Sequence, residues 1–216
     1  MLYRGRTDLA KARQAAAIWD TRVIANRQDF ESAWKLSRTM YWLGSREAED
    51  KTRRSALERG VASGTQASSL QPSRPEGHFW TAANMGTLAE SFGLRQGLKY
   101  RGAIKESLET VLKVDPGFPD GSADRALGRW YYKVPGLFGG SNKKSEEHLR
   151  KSLTYFPDST VSRFFLAETL LDLDRDAEAI AELDKVIAGP SHPDWLPEDL
   201  DYKQKAAELL KKVRRR

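Results

Sequence analysis

The residues of this chain with chemistry to offer are few and poorly arranged for catalysis. His78, His148 and His192 are its three histidines, and none shares the close spacing with other ligands that a zinc site requires. Cysteine is absent, which removes disulfides, thiol nucleophiles and thiolate metal sites together. The serines fall in no GxSxG elbow, the glycines in no P-loop, and the histidines in no HExxH. Acidic residues are abundant, but along the helical stretches they pair with Lys or Arg four residues away, as solvated faces do. The pattern points to a non-enzymatic protein with no cofactor and no metal.

Two local constellations stand out. "GGSNKKSEEHL" at 139–149 presents glycines, a hydroxyl and two lysines at a helix start, where free amides and the helix dipole hold anions. Without the P-loop pattern, Ser141 or Asn142 acting as a plain N-cap is the favoured reading. His78, in "EGHFWTAANMG", stands beside Phe79 and Trp80 near another helix start. A lone histidine there is first a packed, hydrogen-bonded residue and second a member of a pocket.

The elements that position these side chains are all helical. The 216 residues are 39% hydrophobic and 31% charged, with a formal charge of +6. No apolar run is long enough to cross a bilayer, and the opening "MLYRGRTDLAKARQ" has no apolar h-region of a signal peptide. The excess charge suits an anionic partner, but part of it sits in the terminal "KKVRRR", which reads as a solvated helix end. A nucleic-acid role has only this net charge behind it and is disfavoured.

Leu9, Ala12, Ala16, Trp19 and Val23 recur at steps of three and four, one face of a helix. In "DFESAWKLSRTMYWLG", Trp34, Ser37 and Tyr41 form one stripe and Ala33, Leu36, Met40 and Leu43 another, so this helix is wedged between neighbours and stops at Gly44. Further helices are predicted at 46–62, 77–92, 98–114, 120–133, 142–156, 159–173, 176–188 and 197–213. No window alternates as a strand would.

The helix ends repeat at Pro116, Pro157 and Pro190. Before them lie Leu108 and Val111, Leu149 and Ser152, and Leu183 and Val186 in the same frame. The preceding helices carry Gly86, Gly128 and Ala167, small residues that let paired helices approach. This frame resembles the tetratricopeptide repeat, best at 160–190. The resemblance implies an all-α, helical-repeat solenoid of stacked antiparallel hairpins. It forms a single domain over 1–216: degenerate N-terminal hairpins at 7–62, repeat-like units at 77–116, 119–157 and 159–190, and a C-terminal helix at 197–213.

Within the second unit, "VPGLFGG" at 134–140 breaks the helix with proline and glycines yet is itself apolar. Leu137 and Phe138 are expected to fold back against Trp130, Tyr131 and Tyr132 rather than face water. "LGRWYYKVPGLFGGSNKKSEEHLRKSL", "AWKLSRTMYWLG" and "GHFWTAANMG" together resemble the T component associated with bacterial TRAP transporters. That likeness implies a protein partner, a periplasmic solute-binding subunit, with a small hydrophobic ligand and oligomerisation both compatible. It also implies a periplasmic or cell-envelope location if a signal has been removed, the cytoplasm being the alternative. The layout of "WKLSR", "GHFW", "AIKESLETVLKVDP" and "ALGRWYY" is similar as well to the eukaryotic regulator-of-microtubule-dynamics family. By the tetratricopeptide register, Lys35, Trp42, Trp80, Arg125, Arg129 and Tyr132 face the groove of the first helices, with His78 near them. The expected function is therefore a protein- or ligand-binding module, an accessory to a TRAP-type transporter, with a general peptide-binding scaffold as the alternative.

Overall fold

The computed structural model describes residues 2–215, and all the regular structure in them is helical. The chain divides into two compact units, Met1–Pro116 and Gly117–Arg216, with the division at the proline that closes the first repeat-like unit.

Unit 1 holds a 3-10 turn Leu2–Gly5 and helices α1 (Leu9–Ala25), α2 (Phe30–Gly44), α3 (Asp50–Leu70), α4 (Pro75–Ser91) and α5 (Leu94–Val114). Each helix packs on the next, and α2 also touches α4. Asp8 and Asp29 start α1 and α2 by accepting the amides of Ala10 and Ser32, which satisfies donors the helix itself cannot. The core collects Ala12, Ala16, Val23, Phe30, Ala33, Leu36, Trp42, Leu43 and Ala67. Ser37 and Ser63 are fully buried, and their hydroxyls donate to the Gly60 and Ala33 carbonyls across the α2–α3 contact at 2.8 and 2.9 Å.

Helix α3 runs 50–70, later at both ends than the 46–62 read from sequence. Its buried positions are Leu57, Gly60, Ser63, Gly64 and Ala67. Small and polar residues give close helix packing without an apolar stripe, so hydrophobic periodicity could not mark its second half.

Unit 2 holds α6 (Ser122–Lys133), a 3-10 turn Gly136–Phe138, and helices α7 (Asn142–Tyr155), α8 (Thr160–Leu171), α9 (Asp176–Ala188) and α10 (Leu196–Val213). The pairs α6–α7 and α8–α9 are antiparallel neighbours, and α10 packs on both α9 and α8. Ser141 and Ser159 cap α7 and α8. Asp199 ties the start of α10 inward, accepting from the Thr160 hydroxyl and from the His192 amide, the latter at 2.7 Å. Leu149, Leu166, Ala167, Leu170, Ala179, Leu183 and Val186 are all fully buried.

The repeat frame holds at the second helix of each pair. Leu108, Val111, Leu149, Ser152, Leu183 and Val186 are each at most 1% exposed. α5, α7 and α9 each end two residues before Pro116, Pro157 and Pro190, whose rings disfavour helical backbone in the preceding residue. At the small position of the first helices, Gly128 and Ala167 are buried, and a Cβ on Gly128 would stand 2.6 Å from Leu149 Cγ. Gly86 differs from the expectation: nothing lies within 4 Å of the Cβ it lacks, and Thr81 and Asn84 make the close contact of α4 instead.

The 134–140 break also differs in part. It turns through Pro135 with the Phe138 and Gly140 amides donating to the Pro135 carbonyl at 2.8 and 3.2 Å, and Ser141 N donates to Tyr131 O at 2.9 Å. Gly139 has φ +102°, and Gly140 passes so close to Val134 O that a Cβ would fall 1.6 Å from it. The turn therefore closes onto the end of α6, beside Trp130. Phe138 is half-buried there, but Leu137 is 90% exposed. A three-residue turn can aim only one of two adjacent side chains inward, and Phe138 takes that place.

Candidate functional site

In α2, α6 and α8 one residue backs onto the paired helix, and the register of the other face follows from it. In α2 that residue is Ser37, hydrogen-bonded to Gly60 of α3. In α6 it is Gly128, against Leu149 of α7. In α8 it is Ala167, with no exposed surface. One residue further on stand Arg38, Arg129 and Glu168, and four further on Tyr41, Tyr132 and Leu171, all six half-buried. This half-buried face of aromatic and charged residues is the candidate binding surface, present separately in each unit.

In unit 2 the face is a tight cluster. Arg129 Nη1 lies 2.7 Å from Glu168 Oε2, and its guanidinium sits 4.4 Å from the Phe165 ring centre and 5.5 Å from that of Tyr132. Burial, with the negative charges of Glu168 and Asp172, pushes the Tyr132 hydroxyl up to about 12 against the opposing Arg129. Tyr132 is thus a neutral hydrogen-bonding group, not an acid or base at ordinary pH. Arg125, one turn earlier, donates to the Ser122 hydroxyl at 2.5 Å.

In unit 1 Lys35 pairs with Glu31 at 2.7 Å, and its ammonium lies 5.4 and 5.3 Å from the Trp19 and Trp34 rings. The Glu31 carboxyl is held below its ordinary range, chiefly by the Lys35 hydrogen bond. Arg38 stands 3.9 Å from the ring centre of Tyr3 and 5.0 Å from that of Trp34.

The residues expected from sequence fall into two sets. Lys35, Arg125, Arg129 and Tyr132 lie half-buried on first helices. Trp42 does not: it is 1% exposed, and its indole N–H donates to the Arg6 carbonyl at 2.8 Å, so it belongs to the core. Trp80 is 6% exposed, packed between Phe79 at 5.0 Å and Tyr41 at 5.6 Å. His78 is half-buried near the start of α4, 3.0 Å from the Pro72 carbonyl, a local tie across the α3–α4 turn. Arg38, Tyr41, Phe165 and Glu168 are members the sequence reading did not place. The sequence signal for them was the offset from Ser37 and Ala167.

Other polar clusters are structural. Asp124, fully buried on α6, receives His148 Nδ1 at 2.8 Å and Lys151 Nζ at 3.3 Å from α7, and His148 stacks on Tyr131. In "GGSNKK", Ser141 accepts the Lys144 amide at 3.3 Å as an N-cap. No group of His, Asp or Glu with metal-site geometry occurs among the described residues. None of the described helices is long and apolar enough to cross a membrane.

Antiparallel helix pairs in sequence, with small residues at the α2–α3 and α6–α7 crossings and a polar–aromatic face on the first helix, define a tetratricopeptide-type repeat protein. Solved structures agree on the fold. TTC0263, a thermophilic TPR protein of Thermus thermophilus, matches with TM-score 0.70 and 22% identity over 95% of this chain and 94% of that one. MamA matches at 0.58 and 14%, covering 94% and 95%. YrrB, a TPR protein with an unusual peptide-binding site, matches at 0.53 and 17%, covering 92% of each. Within this class, the model of the Regulator of microtubule dynamics protein 1-3 family matches residues 6–138, and the chain belongs to that family. A comparison with curated protein sequences gave no match.

Proposed function

We propose that this chain is a non-enzymatic protein-binding module that takes a peptide segment of a partner on the first-helix faces. The observation that carries the reading is the shared offset: Arg38 and Tyr41, Arg129 and Tyr132, and Glu168 and Leu171 stand half-buried at matching positions of three first helices. Arginines and aromatics in part-desolvated positions are the side chains that supply hot-spot binding energy. The family name, which speaks of regulating microtubule dynamics, and the peptide site named for YrrB both favour a protein partner over a chemical substrate. The narrower role of TRAP-type transporter accessory, paired with a periplasmic solute-binding protein in the cell envelope, has its support in the motif resemblance alone. Recovery of a solute-binding protein on affinity purification separates it from a general scaffold.

The test is site-specific photo-crosslinking in the native host, with the probe at Tyr41, at Tyr132, or at the exposed α7 position Glu147. Adducts with a partner protein are expected from the first two only. Equal labelling from Glu147 sinks the reading.

A further inference from the structure

Among the described residues, large apolar side chains that stand exposed are single on their helices, with two exceptions. Helix α1 carries Ile18 (48% exposed) and Ile24 (64%), and α10 carries Leu196 (45%) and Leu200 (56%). Scattered single residues are ordinary, whereas grouped ones mark interaction surfaces. On α1, which packs on α2 and the 3-10 turn, Ile18 and Ile24 bound an outward arc of about 120°. Between them lie exposed Ala10, Gln14, Ala17 and Thr21, none of them charged. The Thr21 hydroxyl donates to the Ala17 carbonyl at 2.9 Å, so its methyl is what the arc presents. The result is a trough with small residues in its floor and isoleucine on its walls. Lys11 and Arg22 follow beyond Ile18, and Arg13 beyond Ile24, while the one carboxylate of the helix, Asp20, is occupied by Arg59.

Helix α10 offers the matching ridge. Leu196 and Leu200 are about 6 Å apart along its axis, the same four-residue step as Ala17 to Thr21 in the trough floor. Rows of residues four apart fit into the grooves between such rows on a second helix. The ridge is edged with acid: Asp194, Glu198, Asp199 and Asp201 fall within eight residues, with no lysine or arginine among them. Asp199 is turned inward, and Glu198 and Asp201 follow on one side of the leucines. Two α1 faces brought together would oppose cations, and two α10 faces would oppose carboxylates, whereas α1 against α10 joins unlike charges. We propose that α10 of one copy docks its Leu196–Leu200 row into the α1 trough of a second copy. The two members of this contact present different surfaces, so association does not stop at two copies. One helix face of about 25 Å by 10 Å buries on the order of 500 Å² over both copies, below the ~1,200 Å² of a stable complex, so the contact is weak and reversible.

Sedimentation equilibrium of the full chain from about 10 μM to 1 mM tests this, the range in which so small a contact associates. The average mass is expected to rise with concentration past that of a dimer, and to rise less at high salt. Ala17→Glu sets a carboxylate in the trough floor, and Leu200→Glu sets one on the ridge. Both positions are exposed, so the melting temperature of each variant is expected within about 2 °C of wild type. Each variant alone is expected to stay monomeric throughout. Mixed, the two are expected to form a one-to-one heterodimer and nothing larger, because the first keeps an intact α10 and the second an intact α1. The proposal falls if the wild type is monomeric at every concentration, or if the mixture is. It falls as well if either variant alone still self-associates, which would assign the contact to two α1 faces or to two α10 faces. A variant that melts far below wild type would show that its face is packed within the chain, and that result overturns the proposal too.

Discussion

Gly86 and Gly128 occupy corresponding places in the sequence frame, yet the structure assigns them opposite responses to one added methyl. At Gly128 an alanine Cβ would meet Leu149 Cγ at 2.6 Å, Leu149 Cδ2 at 3.0 Å and the Ser145 carbonyl at 3.1 Å. Leu149 has no exposed surface, so it cannot swing aside into solvent. Overpacking of this kind costs about 1–3 kcal/mol, while alanine in a helix interior gains about 0.5–1 kcal/mol over glycine. The net expectation for Gly128→Ala is a loss of about 0.5–2 kcal/mol. At Gly86 nothing stands within 4 Å, so only the gain applies, and Gly86→Ala is expected to stabilise by about 0.5–1 kcal/mol. Urea denaturation followed by helical circular dichroism reads both, provided m is unchanged. Because the two glycines lie in different units, each variant is compared on the transition of its own unit if two appear. Changes of the same sign at both positions would refute the packing assignment.

In the 134–140 turn, Gly140→Ala is expected to destabilise by about 1–3 kcal/mol, because its Cβ would overlap the Val134 carbonyl. Leu137→Ser, at a 90% exposed side chain, is expected within about 0.5 kcal/mol of wild type; thermal melts check both. Spectroscopic titration of tyrosine should show a component ionising near pH 12 that Tyr132→Phe removes. Since burial raises the folded value above the ordinary 10, this group's contribution to stability is complete below pH 10 and is lost as pH rises toward 12. Asp29→Ala removes the α2 cap and is expected to cost about 1 kcal/mol by urea melts at neutral pH. The Ser32 side-chain and backbone hydrogen bonds hold the Asp29 carboxyl below 3.8, so that difference should persist down to about pH 4 and shrink as acid titrates the folded carboxylate.

The fold was legible where burial is apolar and periodic. Pro116, Pro157 and Pro190, with the leucines and valines before them, marked the second helices because all of those burials but Ser152 are aliphatic side chains on one stripe. Legibility failed where close packing is done by small polar groups. The Gly60–Ser63–Gly64–Ala67 face of α3 is as buried as any leucine stripe, but carries no hydrophobic signal. The same cause hid Thr81 and Asn84 on α4 and put the contact one turn away at Gly86.

The candidate face was displaced on α2 for a related reason. The tetratricopeptide register expected from the sequence sends Trp42 to the groove face. The structure keys the helix on Ser37 instead, because only a small side chain allows α3 to approach, and its hydroxyl satisfies the Gly60 carbonyl. Shifting the key by one residue rotates α2 by about 100° per residue. Trp42 then turns inward to reach the Arg6 carbonyl, and Arg38 turns to the half-buried face that Arg129 occupies on α6. On α6 the key is Gly128, which cannot be mistaken for a space-filling residue, and Arg129 and Tyr132 follow it by one and four residues. The cluster they build with Phe165 and Glu168 needed the neighbouring helix α8, and that pairing is a matter of helix contact which no single-helix periodicity encodes.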